Sequence, residues 1–120
     1  GFATAYATLK LPQIARTHIF VPKNASSSKI QRIEKCVEQS EKRISMQKFG
    51  DNCLETELEA KRRATENNGV YVSPYNDERV LCGQGTIGME LSEQFQSVLG
   101  KDSKGFDAVF VSVGGGGMIS

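Results

Sequence analysis

Ala108-Val109-Phe110-Val111-Ser112-Val113-Gly114-Gly115-Gly116-Gly117-Met118 is an apolar run that empties into four consecutive glycines. Its β-branched and aromatic residues, Ala108 to Val113, read as a strand buried on both faces, the pattern of a parallel sheet. The glycines free the backbone to take φ > 0 and to approach a ligand without interference from Cβ. Successive N–H groups in such a loop can converge into an anion-binding nest, and phosphate is the usual guest. A flexible linker would carry serine or other polar neighbours, whereas this loop has a buried-strand pattern on one side and Met118-Ile119 on the other. Gly114, Gly115, Gly116, Gly117 and Met118 are therefore the candidate phosphate-binding residues.

Upstream of that loop, helical and strand patterns alternate. Phe2, Ala5, Tyr6 and Leu9 form a helical stripe that Pro12 ends. Thr17 to Val21 is a β-branched run closed by Pro22. Ser26 to Ser28 offer N-caps to a second helix with Ile30, Ile33 and Val37 on its buried face. Gln39 to Arg43 reads as a solvated loop and Ile44 to Phe49 as a half-exposed strand. Asp51 or Asn52 caps a third helix carrying Leu54, Leu58 and Ala64, with Glu57–Lys61 and Glu59–Arg63 at i,i+4 on its outside. Asn67-Asn68-Gly69 signals its end. Val70 to Val72 is a third strand, Arg79 to Cys82 a short helical piece broken by Gly83-Gln84-Gly85-Thr86, and Ile87, Leu91, Phe95 and Val98 mark a longer helix. This order predicts an α/β fold, a parallel sheet with alternating helices, whose ligands bind beyond the carboxyl ends of the strands.

The chain has 120 residues, 38% hydrophobic and 24% charged, the profile of an ordinary globular chain of one domain or less. Lys+Arg of 15 against Asp+Glu of 14 leaves a net charge of +1, which gives no electrostatic case for nucleic acid or an anionic membrane. No apolar stretch approaches the ~20 residues of a membrane span. Cys36, Cys53 and Cys82 are widely spaced, with no CxxC pair and one histidine, His18, so neither a zinc site nor a disulfide framework is expected. A reducing, cytoplasmic setting follows. His18 opens a strand and reads as structural. The absence of an initiator methionine, and a chain that stops three residues after its glycines, predict an internal piece of a longer protein.

Neither common nucleotide signature fits. Gly114-x-Gly116-x-x-Ile119 and Gly115-x-Gly117-x-x-Ser120 both lack the third glycine of a dinucleotide loop, and no Lys-Ser/Thr pair follows the glycines as a Walker loop requires.

Val113-Gly114-Gly115-Gly116-Gly117-Met118 instead resembles the phosphate loop of the fold-type II pyridoxal-phosphate enzymes, the serine racemase and serine/threonine dehydratase family, with a tryptophan synthase β-like fold. Val72-Ser73-Pro74-Tyr75-Asn76-Asp77, then Val80-Leu81-Cys82-Gly83-Gln84-Gly85-Thr86-Ile87 with Glu90, is similar to that family's second motif. Gly1-Phe2-Ala3-Thr4-Ala5-Tyr6-Ala7 resembles the helix that follows its Ser-x-Gly-Asn loop. The three motifs stand in the family's order and span the chain. Glu38 to Arg43 and Leu11 to Arg16 look longer than the family's connections, and the arginine of the racemases near the third helix is replaced by Thr56.

The resemblance implies a pyridoxal 5'-phosphate cofactor held as a Schiff base to a lysine upstream of residue 1, so that this chain carries no catalytic residue and no metal site. It implies that residues 1–76 form most of the small mobile domain and 77–120 the start of the large cofactor-binding domain. The implied activity is that of a lyase of amino-acid metabolism, a threonine or serine dehydratase (ammonia-lyase) giving a 2-keto acid and ammonia. Racemisation of serine, or a non-catalytic phosphate-binding regulatory module, is the alternative. The full-length family is commonly a homodimer acting on a small amino acid, and the 120 residues alone are expected to be inactive. Lys10, Lys23 and Lys29 read as solvated lysines rather than substitutes for the missing one.

Overall fold

Thr17–Val21 (β1) and Ile44–Lys48 (β2) pair in parallel, Thr17 opposite Ile44 and Val21 opposite Lys48, in the computed structural model, which describes residues 1–75, 77–100 and 105–119. Between them runs Ser27–Glu38 (α2), so β1, α2 and β2 form a βαβ unit. Phe2–Lys10 (α1) precedes it and Cys53–Glu66 (α3) follows. Glu78–Leu99 (α4) is the longest helix. The alternating α/β order with parallel strands is the one predicted. Two compact units divide the chain, Gly1–Tyr71 and Val72–Ser120.

In the first unit the core is Ala5, Ile19, Val21, Ile33, Cys36 and Ile44, with Leu9, Ala25, Val37 and Met46 packed around it. Ile30, Ile33 and Cys36 supply the buried face of α2, so Cys36 acts as a small apolar side chain. The stripe of α1 is turned from its predicted orientation. Ala5 and Thr8 are fully buried, while Phe2 and Tyr6 face outward under Arg32 and Lys10, at 4.2 and 5.5 Å from the ring centroids. Thr8 is admitted to the interior because its hydroxyl donates to Thr4 O at 2.9 Å and shares a 2.7 Å bond with Thr17 Oγ1.

Two local readings change here, in the loop after α2 and on α3. The predicted solvated loop 39–43 contains Ser40, 1% exposed, which donates to Val37 O and accepts from the Ile44 N–H, tying the end of α2 to the start of β2. On α3, Leu54 and Leu58 are exposed, and Thr56 and Glu59 face inward instead. Glu59 survives burial because Arg62 and Arg63 both donate to it, which holds its carboxyl below the ordinary range, Arg62 contributing most. Asn52 caps this helix, accepting from the Glu55 N–H at 2.9 Å.

Val70–Val72 and Ala108–Val113, both predicted as strands, are irregular. A strand exists only as part of a hydrogen-bonded ladder, and among the described residues neither segment is laddered into a sheet. Val109, Phe110 and Val113 are accordingly exposed rather than buried. The predicted break at Gly83-Gln84-Gly85-Thr86 is also absent. A glycine weakens a helix by about 1 kcal/mol without terminating it, and α4 runs through all three of Gly83, Gly85 and Gly88. Thr86 does not cap a turn; its hydroxyl donates back to Gly83 O at 2.9 Å. Asn76 of the second motif, the predicted boundary at residue 76, and Ser120 lie outside the described residues. Among the described residues no helix is long and apolar enough to cross a membrane.

Candidate functional site

Within the second unit, the serine and tyrosine motif and the tetraglycine loop meet. Ser73 is buried, and its hydroxyl accepts the Tyr75 N–H at 3.2 Å, a short-range bond across Pro74 that fixes the direction of the chain at Tyr75. Asp77 then caps α4, its Oδ1 accepting from the Arg79 N–H at 3.0 Å. The Arg79 guanidinium binds both oxygens of the same carboxylate, at 3.0 and 2.7 Å, and holds its pKa down at about 2. Asp77 is thereby committed to the helix end and is no candidate for proton transfer. Further along, Phe95 is buried and meets Phe106 edge to face at 4.4 Å, which anchors α4 to the segment leading into the loop.

The four glycines are not equivalent. At Gly114 an added Cβ would meet nothing within 4 Å. At Gly115 it would lie 2.0 Å from Cδ1 and 2.4 Å from Cε1 of Tyr75, so a side chain there would require the ring or the loop to shift. Gly116 takes φ +88°, a left-handed conformation that side chains disfavour, and its carbonyl accepts the Ile119 N–H at 3.1 Å to close a turn. At Gly117 a Cβ would stand 3.1 Å from Tyr75 O and 3.2 Å from Pro74 O, a tight fit against backbone.

That geometry leaves donors to spare. Among the described residues, the N–H groups of Gly114, Gly115, Gly117 and Met118 have no protein acceptor. Backbone donors left unpaired on an ordered loop are what an anion site requires, and no cation inside the loop supplies that charge. The loop is accessible: Gly116 and Gly117 are half-buried, Gly114, Gly115 and Met118 exposed. Unpaired donors of this kind are what phosphate accepts from, and the close packing of Gly115 and Gly117 keeps side chains off them.

Other residues singled out in the sequence take structural posts. Lys10, Lys23 and Lys29 are exposed, with Lys23 paired to Asp51 at 3.1 Å. Thr56 is buried and its hydroxyl donates to Phe49 O and Asn52 O at 2.7 and 2.9 Å. His18 Nδ1 and Ser45 Oγ share a 2.6 Å bond across the sheet, between register partners. The cysteines are free thiols, Cys36 buried and the other two exposed. Sequence reasoning missed the role of Tyr75, for nothing in a spacing of some forty residues marks it as the neighbour of Gly115.

Comparison with known proteins bears on the family of the chain. A match to the family described as pyridoxal-phosphate dependent enzyme covers residues 1–120. The chain is similar to the biosynthetic L-threonine dehydratase IlvA of Lactococcus lactis, 30% identical over 85% of this chain and 23% of that protein. It is similar to the L-threonine ammonia-lyase of Thermotoga maritima, 43% identical over 58% of this chain and 16% of the relative. Its likeness to the serine racemase of Arabidopsis thaliana is 46% identity over 46% of this chain and 14% of the racemase. The chain thus spans less than a quarter of the length of these relatives. No solved structure matches.

Proposed function

The chain belongs to the pyridoxal-phosphate dependent enzyme family, and we propose on that basis that it is part of an ammonia-lyase converting L-threonine or L-serine to a 2-keto acid and ammonia. One observation carries the reading: a glycine loop held against Pro74 and Tyr75 that leaves four backbone donors without a protein acceptor.

The residues that would hold the cofactor's phosphate are Gly114, Gly115, Gly116, Gly117 and Met118. The amides of Gly114, Gly115, Gly117 and Met118 would bind it through charge-assisted hydrogen bonds, which are shorter and roughly twice as strong as neutral ones. Gly115 and Gly117 keep the main chain near Tyr75, and the left-handed Gly116 turns it between them. When bound, the cofactor supplies an electron sink for the charge left on the substrate's Cα. With the phosphate end fixed by backbone, this chain's contribution is orientation.

Dehydratase chemistry is favoured over racemisation by two things. The threonine dehydratase and ammonia-lyase relatives align over more of the chain than the serine racemase does. Thr56, standing where the racemases resembled here have an arginine, has its hydroxyl bonded to Phe49 O and Asn52 O and offers no cation. The complete protein is expected to be a cytoplasmic homodimer acting on a small amino acid.

The test is to supply the complete protein with pyridoxal 5'-phosphate and L-threonine or L-serine and to follow 2-keto acid, ammonia and D-serine together. Keto acid and ammonia in equal amounts, with little D-serine, supports the lyase. D-serine as main product overturns it in favour of racemisation, and tight cofactor binding without either product points to a regulatory module.

A further inference from the structure

A run of four glycines loses more conformational freedom on ordering than any other tetrapeptide, so a loop made of it is not held in one shape by its own residues. Preorganised donors bind an anion better than mobile ones, because the ordering has already occurred before the ligand arrives. Within the loop the first side chain after the glycines is that of Met118, which is 52% exposed. Whatever fixes the loop must come from elsewhere in the chain.

Tyr75 meets that need at two points. Its ring edge, Cδ1 and Cε1, occupies the space a Cβ on Gly115 would fill, and its carbonyl stands with that of Pro74 beside Gly117. The main chain of Tyr75 is fixed by the proline before it and by its N–H bonded to the buried Ser73 hydroxyl, while the residue is 36% exposed. Gly116 lies between the two contacts and takes the left-handed turn. A chain of fixed parts therefore runs from Ser73 through Tyr75 to both sides of Gly116.

We propose that Tyr75 is a positioning residue of the phosphate site, its ring edge against Gly115 and its main chain against Gly117 holding the loop's free amides in one arrangement. The proposal rests on the reading of the loop as a phosphate cradle. The ring, not the hydroxyl, makes the contact with Gly115.

The experiment measures dissociation constants of the complete protein for pyridoxal 5'-phosphate and for pyridoxal, which lacks the phosphate, in Gly115→Ala, Tyr75→Ala, the double variant and Tyr75→Phe. A methyl at Gly115 overpacks against Tyr75, so Gly115→Ala should weaken binding of the phosphorylated form about tenfold or more and leave pyridoxal unaffected. The double variant, with the ring removed, should bind the phosphorylated form to within about threefold of Tyr75→Ala alone, as expected of two coupled neighbours. Tyr75→Phe should behave as the natural protein, and Tyr75→Ala should weaken the phosphorylated form selectively.

If the double variant is as weak as the product of the single losses, the two residues are uncoupled and the proposal is overturned while the cradle reading stands. If every variant changes both ligands equally, the loop is no phosphate site, and the cradle reading falls with the proposal. Should Gly115→Ala fail to fold, Tyr75→Ala against Tyr75→Phe still decides, for equal affinities of those two overturn the proposal.

Discussion

Gly115 and Tyr75 share a space with no room for one more methyl group, the position of a Cβ on Gly115 falling 2.0 Å from Tyr75 Cδ1. The contact joins two segments far apart in the chain and ranks the glycines of the loop. We expect Gly114→Ala to be the mildest substitution, since an added Cβ there touches nothing within 4 Å. Gly117→Ala should cost an intermediate amount, and Gly115→Ala the most, on the order of 1–3 kcal/mol for overpacking. Thermal melts of the three variants of the complete protein check the order; equal melting temperatures would contradict it.

Met118 offers the loop a backbone donor and an exposed side chain. Met118→Leu conserves volume and should cost about 1 kcal/mol or less. Met118→Pro removes the donor, and a hydrogen bond to a charged group is worth about 1.5–3 kcal/mol. The two variants should differ roughly tenfold or more in affinity for pyridoxal 5'-phosphate. Titration of the complete protein measures this, and equal dissociation constants would mean that the Met118 amide does not hold the phosphate.

Ser40 is 1% exposed, with its hydroxyl donating to Val37 O and accepting from the Ile44 N–H. Ser40→Ala leaves the buried Ile44 N–H without that partner, at a cost of about 1–3 kcal/mol, while Val37 O keeps the Ser40 N–H. Chemical denaturation should show the loss as a lower midpoint with an unchanged slope. A midpoint equal to that of the natural protein would show that water or backbone movement replaces the hydroxyl.

Asp77 carries a pH dependence of known sign. Arg79 depresses its folded pKa from the usual 3.8 to about 2, so its contribution is fully present above the unfolded value and is lost as pH falls through the folded one. We expect Asp77→Asn, which keeps an N-cap acceptor but no charge, to lower stability at neutral pH. Its difference from the natural protein should shrink as pH falls from about 4 towards 2, the interval between the two pKa values. Melting temperatures of both proteins across that range check it; a constant difference would separate the Asp77–Arg79 pair from stability.

Much of this was legible in the residues because it depends on local chemistry. Helical spacing located α1, α2 and α3, the β-branched run Thr17 to Val21 located β1, and Asp51-Asn52 marked the start of α3. The glycine run signalled an anion loop because only glycine gives the backbone that freedom. What misled was a pattern whose meaning depends on a distant partner. Ala108 to Val113 has a strand's composition, yet pairing is a property of two segments, and among the described residues the second is missing. The Glu59–Arg63 pair was legible from its spacing, but that Glu59 turns inward while Arg62 and Arg63 stay half exposed depends on how α3 packs. The glycines of α4 looked like a break because propensity is a weak preference that a long helix overrides.

The sequence by itself determined the α/β order and the chemical kind of the loop, both of which follow from backbone freedom and side-chain period over a few residues. Only the tertiary structure decided which glycine must be glycine. Gly114 to Gly117 are four identical letters, and they differ because Tyr75, some forty residues away, closes on Gly115 while its carbonyl and that of Pro74 close on Gly117. Steric exclusion acts between atoms brought together in space, and no reading along the chain contains that distance.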